Sequence, residues 1–200
     1  MTVEKRRYEK KRRAELEAET RRRITETAVE LHGTVGPART SISAIAERAG
    51  VRRSTVYRHF PDEKALIAAC SSHWEASNPV PDLDGWEAVQ DPDERLRSAL
   101  DELYAFYSRT ERMLENLYRD ERTMPTVRRH FTGFHEYLSA ARETLLRGRP
   151  ARGRRREEVR AAIGHALAFS TWRSLTREQE LDDAQAAALM GNLVAAAGRG

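Results

Sequence analysis

An all-α fold is what this 200-residue sequence predicts, and three observations predict it. Apolar residues recur at helical spacing in one segment after another, and no stretch sustains the alternation of a strand. Only 11 Gly and 7 Pro are available for turns, where a β-barrel of this length needs many more. The length suits one domain, or two small ones sharing a helix.

The elements follow in order. Residues 4–23 alternate short basic and acidic blocks, with Glu9/Arg13 and Glu17/Arg21 at helical spacing, while Glu15/Glu19 repel. With almost no apolar face, this segment reads either as disordered or as a frayed extension of the next helix. Helical periodicity begins at Ile24 and runs through Ala28 and Leu31, until Gly33, Gly36 and Pro37 break it. Ser41 caps a short helix through Ala49, and Gly50 ends it in the left-handed conformation. Residues 52–59 form another short helix. Pro61 opens a longer one, with Asp62 and Glu63 in its first turn, where the helix dipole favours acids.

Residues 78–85, containing Pro79 and Pro81, read as a linker loop. Asp91 caps the next helix, with Pro92 at its first position and Glu94 three residues on. Leu96, Leu100, Leu103, Phe106 and Tyr107 form its apolar stripe. Thr110 restarts a helix carrying Met113, Leu114, Leu117 and Tyr118, and Pro125 opens another reaching Leu145. Residues 148–156 are an Arg/Gly/Pro loop, and two final helices lie near 156–176 and 182–197.

The 35 Lys and Arg against 31 Asp and Glu leave a net +4, unevenly placed. Residues 1–60 hold 15 basic and 8 acidic side chains, a net +7, so residues 61–200 carry −3. A basic end on a mildly acidic body points to an N-terminal module for a polyanion. Because 31 of the cations are Arg and only 4 are Lys, part of the excess reflects coding bias, and placement is what informs.

The lone Cys70 excludes an internal disulfide. The longest apolar run, residues 186–198, is too short for a membrane span and is interrupted by Asn192. No apolar segment follows the N-terminal basic residues, so no secretory signal is read. The expectation is a soluble, cytoplasmic, helix-rich protein without membrane contact.

The most informative segment is 42–60, ISAIAERAGVRRSTVYRHF. Two short helices in tight contact need a small residue where they touch, which Ala46 supplies, and a corner tolerant of positive φ, which Gly50 supplies. Ile45, Ala49, Val51 and Val56 are the apolar anchors. The second helix then exposes Arg52, Arg53, Ser54, Thr55 and Arg58. An ordinary helical hairpin with a polar outer face is the alternative reading.

Together, Ile24, Ala28 and Leu31 followed by SISAIAERAGVRRSTVYRHFPDEKAL (residues 41–66) resemble the tetracycline-repressor (TetR) family of bacterial regulators. The likeness covers roughly residues 20–70, about a quarter of the chain. Ser54 stands where the family often has Gly, Pro or Ala, and Glu63-Lys64 reverse the common Lys-Glu order. The resemblance implies a three-helix helix-turn-helix domain over residues 20–69, preceded by a flexible basic arm (1–19). A helical ligand-binding and dimerisation domain follows over residues 70–200.

It further implies a homodimer that binds double-stranded DNA at a palindromic operator through the second short helix. Arg53, Ser54, Thr55 and Arg58, with Arg52 beside them, would face base edges or nearby phosphates. Ser43 would reach a base or phosphate. Tyr57 and His59 would contact phosphates or else pack against Phe60, and Lys64 or the amides beside it would hold a phosphate. Arg53 is the expected base reader, because arginine bonds guanine O6 and N7 together. Ten basic residues precede Ile24, and such an arm either follows the DNA backbone or minor groove or remains a solvated tail.

In the body, the resemblance implies a small-molecule effector in an apolar cavity. Candidates on α-helical stripes are Trp74, Trp86, Tyr104, Tyr107 and Met113. Tyr118, Phe131, Phe134, His135, Phe169 and Trp172 complete the set, and core packing is the alternative for each. Ala161, Gly164, Ala168, Leu189 and Leu193 in the last two helices are candidates for a four-helix dimer interface.

Among the six His, His130 and His135 are five residues apart, and there is no Cys pair, HExxH, GxGxxG or phosphate loop. No metal, cofactor or catalytic residue is therefore assigned. The function expected is a ligand-released transcriptional repressor. A DNA-binding regulator controlled by a protein partner or by abundance is the alternative, and an enzyme with a DNA-binding head the remote one.

Overall fold

The structure, a computed structural model, describes residues 3–199, with side chains from Arg6 onward. The first two residues of the expected arm lie outside the described residues. Among the described residues the chain forms helices and no strand: α1 Val3–Thr34, α2 Ile42–Arg48, α3 Arg53–His59, α4 Glu63–Ser77 and α5 Leu83–Ala88. Then come α6 Pro92–Asp120, α7 Pro125–Leu146, α8 Gly153–Ala166, α9 Phe169–Arg173 and α10 Asp183–Arg199. The all-α expectation holds.

Two compact units divide the chain. The first comprises Met1–Ser77 with Arg112–Phe131, and the second comprises Asn78–Glu111 with Thr132–Gly200. The structural division therefore keeps all of α4 in the first unit, past the linear boundary at 69/70, and adds Arg112–Phe131 to it.

In the first unit, Ile24 and Ala28 of α1 meet Ile45, Ala46 and Ala49 at α2, Val56 and Phe60 at α3, and Leu66 and Cys70 of α4 in one apolar cluster. The Ser41 hydroxyl accepts the Ala44 N–H at 3.1 Å, which caps α2 as its residue type dictates. Gly50 turns the chain at φ 65°, and the Val51 N–H bonds the Ala46 carbonyl at 2.9 Å. Burial pushes the Cys70 thiol up to about 12, so it packs as a small apolar group.

Residues 4–23, which read either as disordered or as an extension of the next helix, are helical and continuous with the Ile24 segment in α1. The pairs Lys11–Glu15, Arg13–Glu17 and Arg22–Glu26 support that extension at i,i+4 spacing. The fourth helix begins at Glu63, not Pro61. The Asp62 carboxylate accepts the Ala65 N–H at 2.7 Å and so acts as the cap just outside the helix.

In the second unit, α5 occupies part of the expected linker. Asp82 accepts the Asp84 N–H at 3.1 Å, and the buried Trp86 donates through its Nε1 to Glu102 at 3.0 Å. Helix α6 runs unbroken through Thr110, whose hydroxyl donates back to the Phe106 carbonyl at 2.6 Å, so no helix restarts there. The single helix expected near 156–176 is divided. Ala168 is extended at ψ 131° between α8 and α9, and the Tyr104 and Tyr107 hydroxyls donate to the freed Ala166 and Leu167 carbonyls at 2.9 and 2.6 Å. Helix α8 packs along α10, burying Val159 and Ile163 on one and Ala186, Ala187, Met190 and Val194 on the other.

Candidate nucleic-acid interface

Helix α3 turns one face inward and one outward. Val56 is wholly buried and Phe60 follows it into the core, while Arg52, Arg53, Ser54, Tyr57 and Arg58 are exposed. Thr55 and His59 are half-buried at the edges of that face. The helix thus presents three guanidinium groups, a hydroxyl and a phenol on one outer surface, held in place by the apolar residue between them. Ser43, the second residue of α2, and Lys64, in the first turn of α4, are exposed on neighbouring elements. Tyr57 does not bury its ring, being 47% exposed.

Not every basic side chain nearby is available. Arg48 is engaged by Glu30 of α1 in a two-pronged pair, so it ties α2 to α1. His59 has its pKa lowered first by partial burial and then by the charges of Arg58 and Arg21, with Glu17 opposing. Its ring is accordingly neutral at physiological pH and offers hydrogen bonds without charge. Its Nε2 is buried without a hydrogen-bond partner among the described residues.

Two positioning features escaped sequence reasoning. The first is Arg21, counted there among the arm's cations. Its guanidinium donates to the carbonyl of His59, the last residue of α3, and lies 4.1 Å over the Phe60 ring. It therefore fixes the end of the outward-facing helix from α1. The only signal was its place three residues before Ile24, on the same helical stripe.

The second feature grips the connection between α1 and α2. Asn116 donates to the His32 and Gly33 carbonyls at 2.9 and 3.1 Å. Arg119 donates to the Val35 carbonyl at 3.0 Å and to Asp120 at 2.7 Å. The buried Asp120 also accepts the Ala38 N–H at 2.9 Å. Gly36, at φ 93°, lets the backbone approach this cluster.

His32 is buried beside this network, and burial lowers its pKa to about 4 against an opposing pull from Asp120. The unfolded chain takes up this proton below about pH 6.5, while the folded ring stays neutral until about pH 4. Stability conferred by the neutral ring is therefore complete above pH 6.5 and lost as pH falls. Between pH 7 and 5 the loss attributable to His32 is about 2 kcal/mol at 1.36 kcal/mol per pH unit. Urea unfolding of His32→Gln should show a correspondingly flatter pH dependence; an unchanged slope contradicts the assignment.

A family profile described as bacterial regulatory proteins, tetR family, matches residues 24–70. Those residues run from the first core position of α1 through α4 to Cys70, and so include the whole of α2 and α3. Over those residues the first unit resembles the helix-turn-helix of that family.

Solved structures resemble the chain well beyond that head. A TetR-like transcriptional regulator from Rhodococcus sp. RHA1 is 21% identical at a TM-score of 0.64, over 88% of this chain and 93% of that one. A tetR-family transcriptional regulator from Streptomyces coelicolor is 20% identical at 0.59, over 88% and 81%. Likeness at this identity is a likeness of fold, and the fold is that of TetR-family transcriptional regulators. No curated protein matches the sequence.

The body candidates fall into both units. Trp74, Met113, Tyr118 and Phe131 belong to the first, where the Tyr118 and Phe131 rings meet edge-on at 4.9 Å. Tyr104, Tyr107, Phe134, His135, Phe169 and Trp172 belong to the second. There Tyr107 lies 6.2 Å from Tyr104, 5.3 Å from Phe169 and 5.8 Å from Trp172, a continuous ring cluster, whereas His135 is exposed. Of the interface candidates, Ala161 is exposed, and Gly164 and Ala168 are half-buried. Leu189 and Leu193 are 39% and 51% exposed, flanking the packed side of α10 that Ala186, Met190 and Val194 form. No helix among the described residues is long and apolar enough to cross a membrane, and no three His, Cys, Asp or Glu side chains there group as a metal site.

Proposed function

We propose that this protein is a homodimeric repressor that reads a palindromic operator with α3 and leaves it when a small apolar effector binds the body. The observation that carries the reading is the face of α3: Arg52, Arg53, Ser54, Tyr57 and Arg58 exposed together on a helix whose other side is locked into the core. A major groove admits such a helix, and arginine and serine supply the donors that base edges and phosphates require. Ser43 and Lys64 extend the contact to phosphates on either side.

Dimerisation is supported by the exposed leucines of α10. Leu189 and Leu193, interspersed with Ala188, Ala196 and the amide of Asn192, leave an exposed strip of mostly small and branched residues on α10. A second copy laying its own α8 and α10 against this strip completes a four-helix interface. The two α3 helices then address half-sites one DNA turn or more apart.

The effector site is proposed among the second unit's aromatic residues, where Tyr104 and Tyr107 secure the α8–α9 break. A ligand that competes for these hydroxyls or parts the rings would shift the body between two arrangements, and it acts as an effector only if it binds them unequally. Control by a protein partner or by abundance is the competing account. It prevails if DNA binding ignores every small molecule that binds the body.

Genomic fragments from the source organism retained by the full chain should share one inverted repeat. Retention should fail when Leu189 and Leu193 both become Glu, with helicity by circular dichroism unchanged. Retention that survives as a monomer overturns the dimer, and the absence of any shared fragment overturns the DNA-reading function.

A further inference from the structure

The N-terminal half of α1 carries a charged face whose placement follows from the C-terminal half. Residues Ile24, Ala28 and Leu31 turn that half into the helix-turn-helix core, and Arg21 reaches α3 from the same stripe. Stepping back from Arg21 by helical intervals of three and four gives Glu17, Arg13, Lys10 and Arg6, with Arg7 alongside. The side of α1 that lies against the head near α3 is thus continued by four cations. All four are exposed, and Arg6, Arg7 and Lys10 have no acidic partner among the described residues, while Arg13 pairs with Glu17 at 3.2 Å.

This arrangement costs helix stability. Like charges at Arg6/Lys10 and Lys10/Arg13 repel at the spacings where opposite charges would attract. Among residues 6–21 the stripe's apolar content is only Ala14, while Leu16 sits at its flank and Tyr8 falls on the other side of the helix. A membrane surface would need an apolar face that the stripe lacks. What the stripe offers is cation after cation along one line, beside a helix proposed to lie in a DNA groove.

We propose that Arg6, Arg7, Lys10 and Arg13 form a second DNA-contact surface, which tracks the phosphates of the duplex flanking the half-site read by α3. The surface rests on the proposed DNA-reading function and extends it. At 1.5 Å per residue, the stripe reaches from roughly 12 Å (Arg13) to roughly 22 Å (Arg6) beyond Arg21. At 3.4 Å per base pair, that allows contacts up to about six base pairs outside the half-site. Because the contacts are to phosphates, they add affinity and footprint without base preference. Anchoring by Arg21 makes the surface a rigid continuation of the head and not a tethered tail.

The test compares two variants of the full chain that lose the same charge. One is Arg6→Gln/Lys10→Gln/Arg7→Gln on the stripe, and the other is Lys11→Gln/Arg12→Gln/Arg23→Gln off it. Glutamine is a good helix former, so both variants keep α1 helical, which circular dichroism verifies. On an operator with 12 base pairs of flanking duplex, the stripe variant should flatten the slope of log affinity against log salt by about 5, from three contacts in each of two protomers. It should also lose hydroxyl-radical protection outside the half-sites, and bind about tenfold or more weakly at 0.15 M salt. The off-stripe variant should change the slope by about 1 or less and keep the outer protection. Equal effects from the two variants, or outer protection unchanged in the stripe variant, overturn the proposal. If the unmodified protein selects no DNA at all, the DNA-reading function has failed instead, which an Arg53→Ala comparison on the central half-sites distinguishes.

Discussion

Replacing Gly36 with alanine is expected to lower the stability of the first unit by about 2–4 kcal/mol in urea unfolding. At φ 93° a side chain is strained wherever it points. Here the new Cβ would also overlap the Arg119 Nη2 and lie 2.6 Å from the Asp120 Oδ2. Arg119 is partly exposed and can swing aside, but Asp120 is buried and committed to the Ala38 N–H and to Arg119. Relief of the clash therefore breaks the hydrogen bonds that hold the α1–α2 connection. Asp120→Ala should act on the same network and cost about 3 kcal/mol, by leaving the Ala38 N–H without its acceptor. A Gly36→Ala protein within 0.5 kcal/mol of the parent contradicts this account of the turn.

Arg53→Ala should instead spare the fold and damage recognition. The side chain is exposed at the first residue of α3, so unfolding should be unchanged within about 0.5 kcal/mol. If the guanidinium bonds guanine bidentately, its loss costs about 1–3 kcal/mol in each half-site and relaxes preference at one base position. Arg58→Ala, if the contact is to phosphate, should weaken binding similarly on every sequence and reduce the salt slope by about 1 per protomer. Arg48 provides the internal control, since Glu30 already holds it on α1. Its replacement should disturb stability more than base preference. Loss of base preference with Arg48→Ala and not with Arg53→Ala would misplace the reading face.

Residues 41–60 were legible in the sequence because every signal there is local. Ser41 as cap, Gly50 at positive φ and Ala46 at the corner each act within four residues of the backbone they shape. The outer face of α3 was legible for the same reason, as the complement of Val56 and its neighbouring anchors. The grip on Gly36 was not legible. Asn116, Arg119 and Asp120 look like the solvated end of a long helix, and their partners lie more than eighty residues earlier. The α8–α9 break was hidden too, because no Gly or Pro marks it and the groups that satisfy Ala166 and Leu167 are tyrosines some sixty residues away. Helix α5 was obscured by Pro79 and Pro81, which made its cap Asp82 read as part of the loop. Read alone, the charge blocks of residues 4–23 favoured neither disorder nor helix, and it is the shared stripe with Ile24 and Ala28 that gives them a direction.

The most direct test of a dimeric DNA reader is selection of bound duplexes from a random pool with the full chain, followed by sequencing. The expected result is one inverted repeat, its half-sites centred a DNA turn or more apart, with a guanine position in each half-site that Arg53→Ala no longer enriches. Enrichment of unrepeated sequences, or a repeat whose base preferences are untouched by changes on α3, would contradict it.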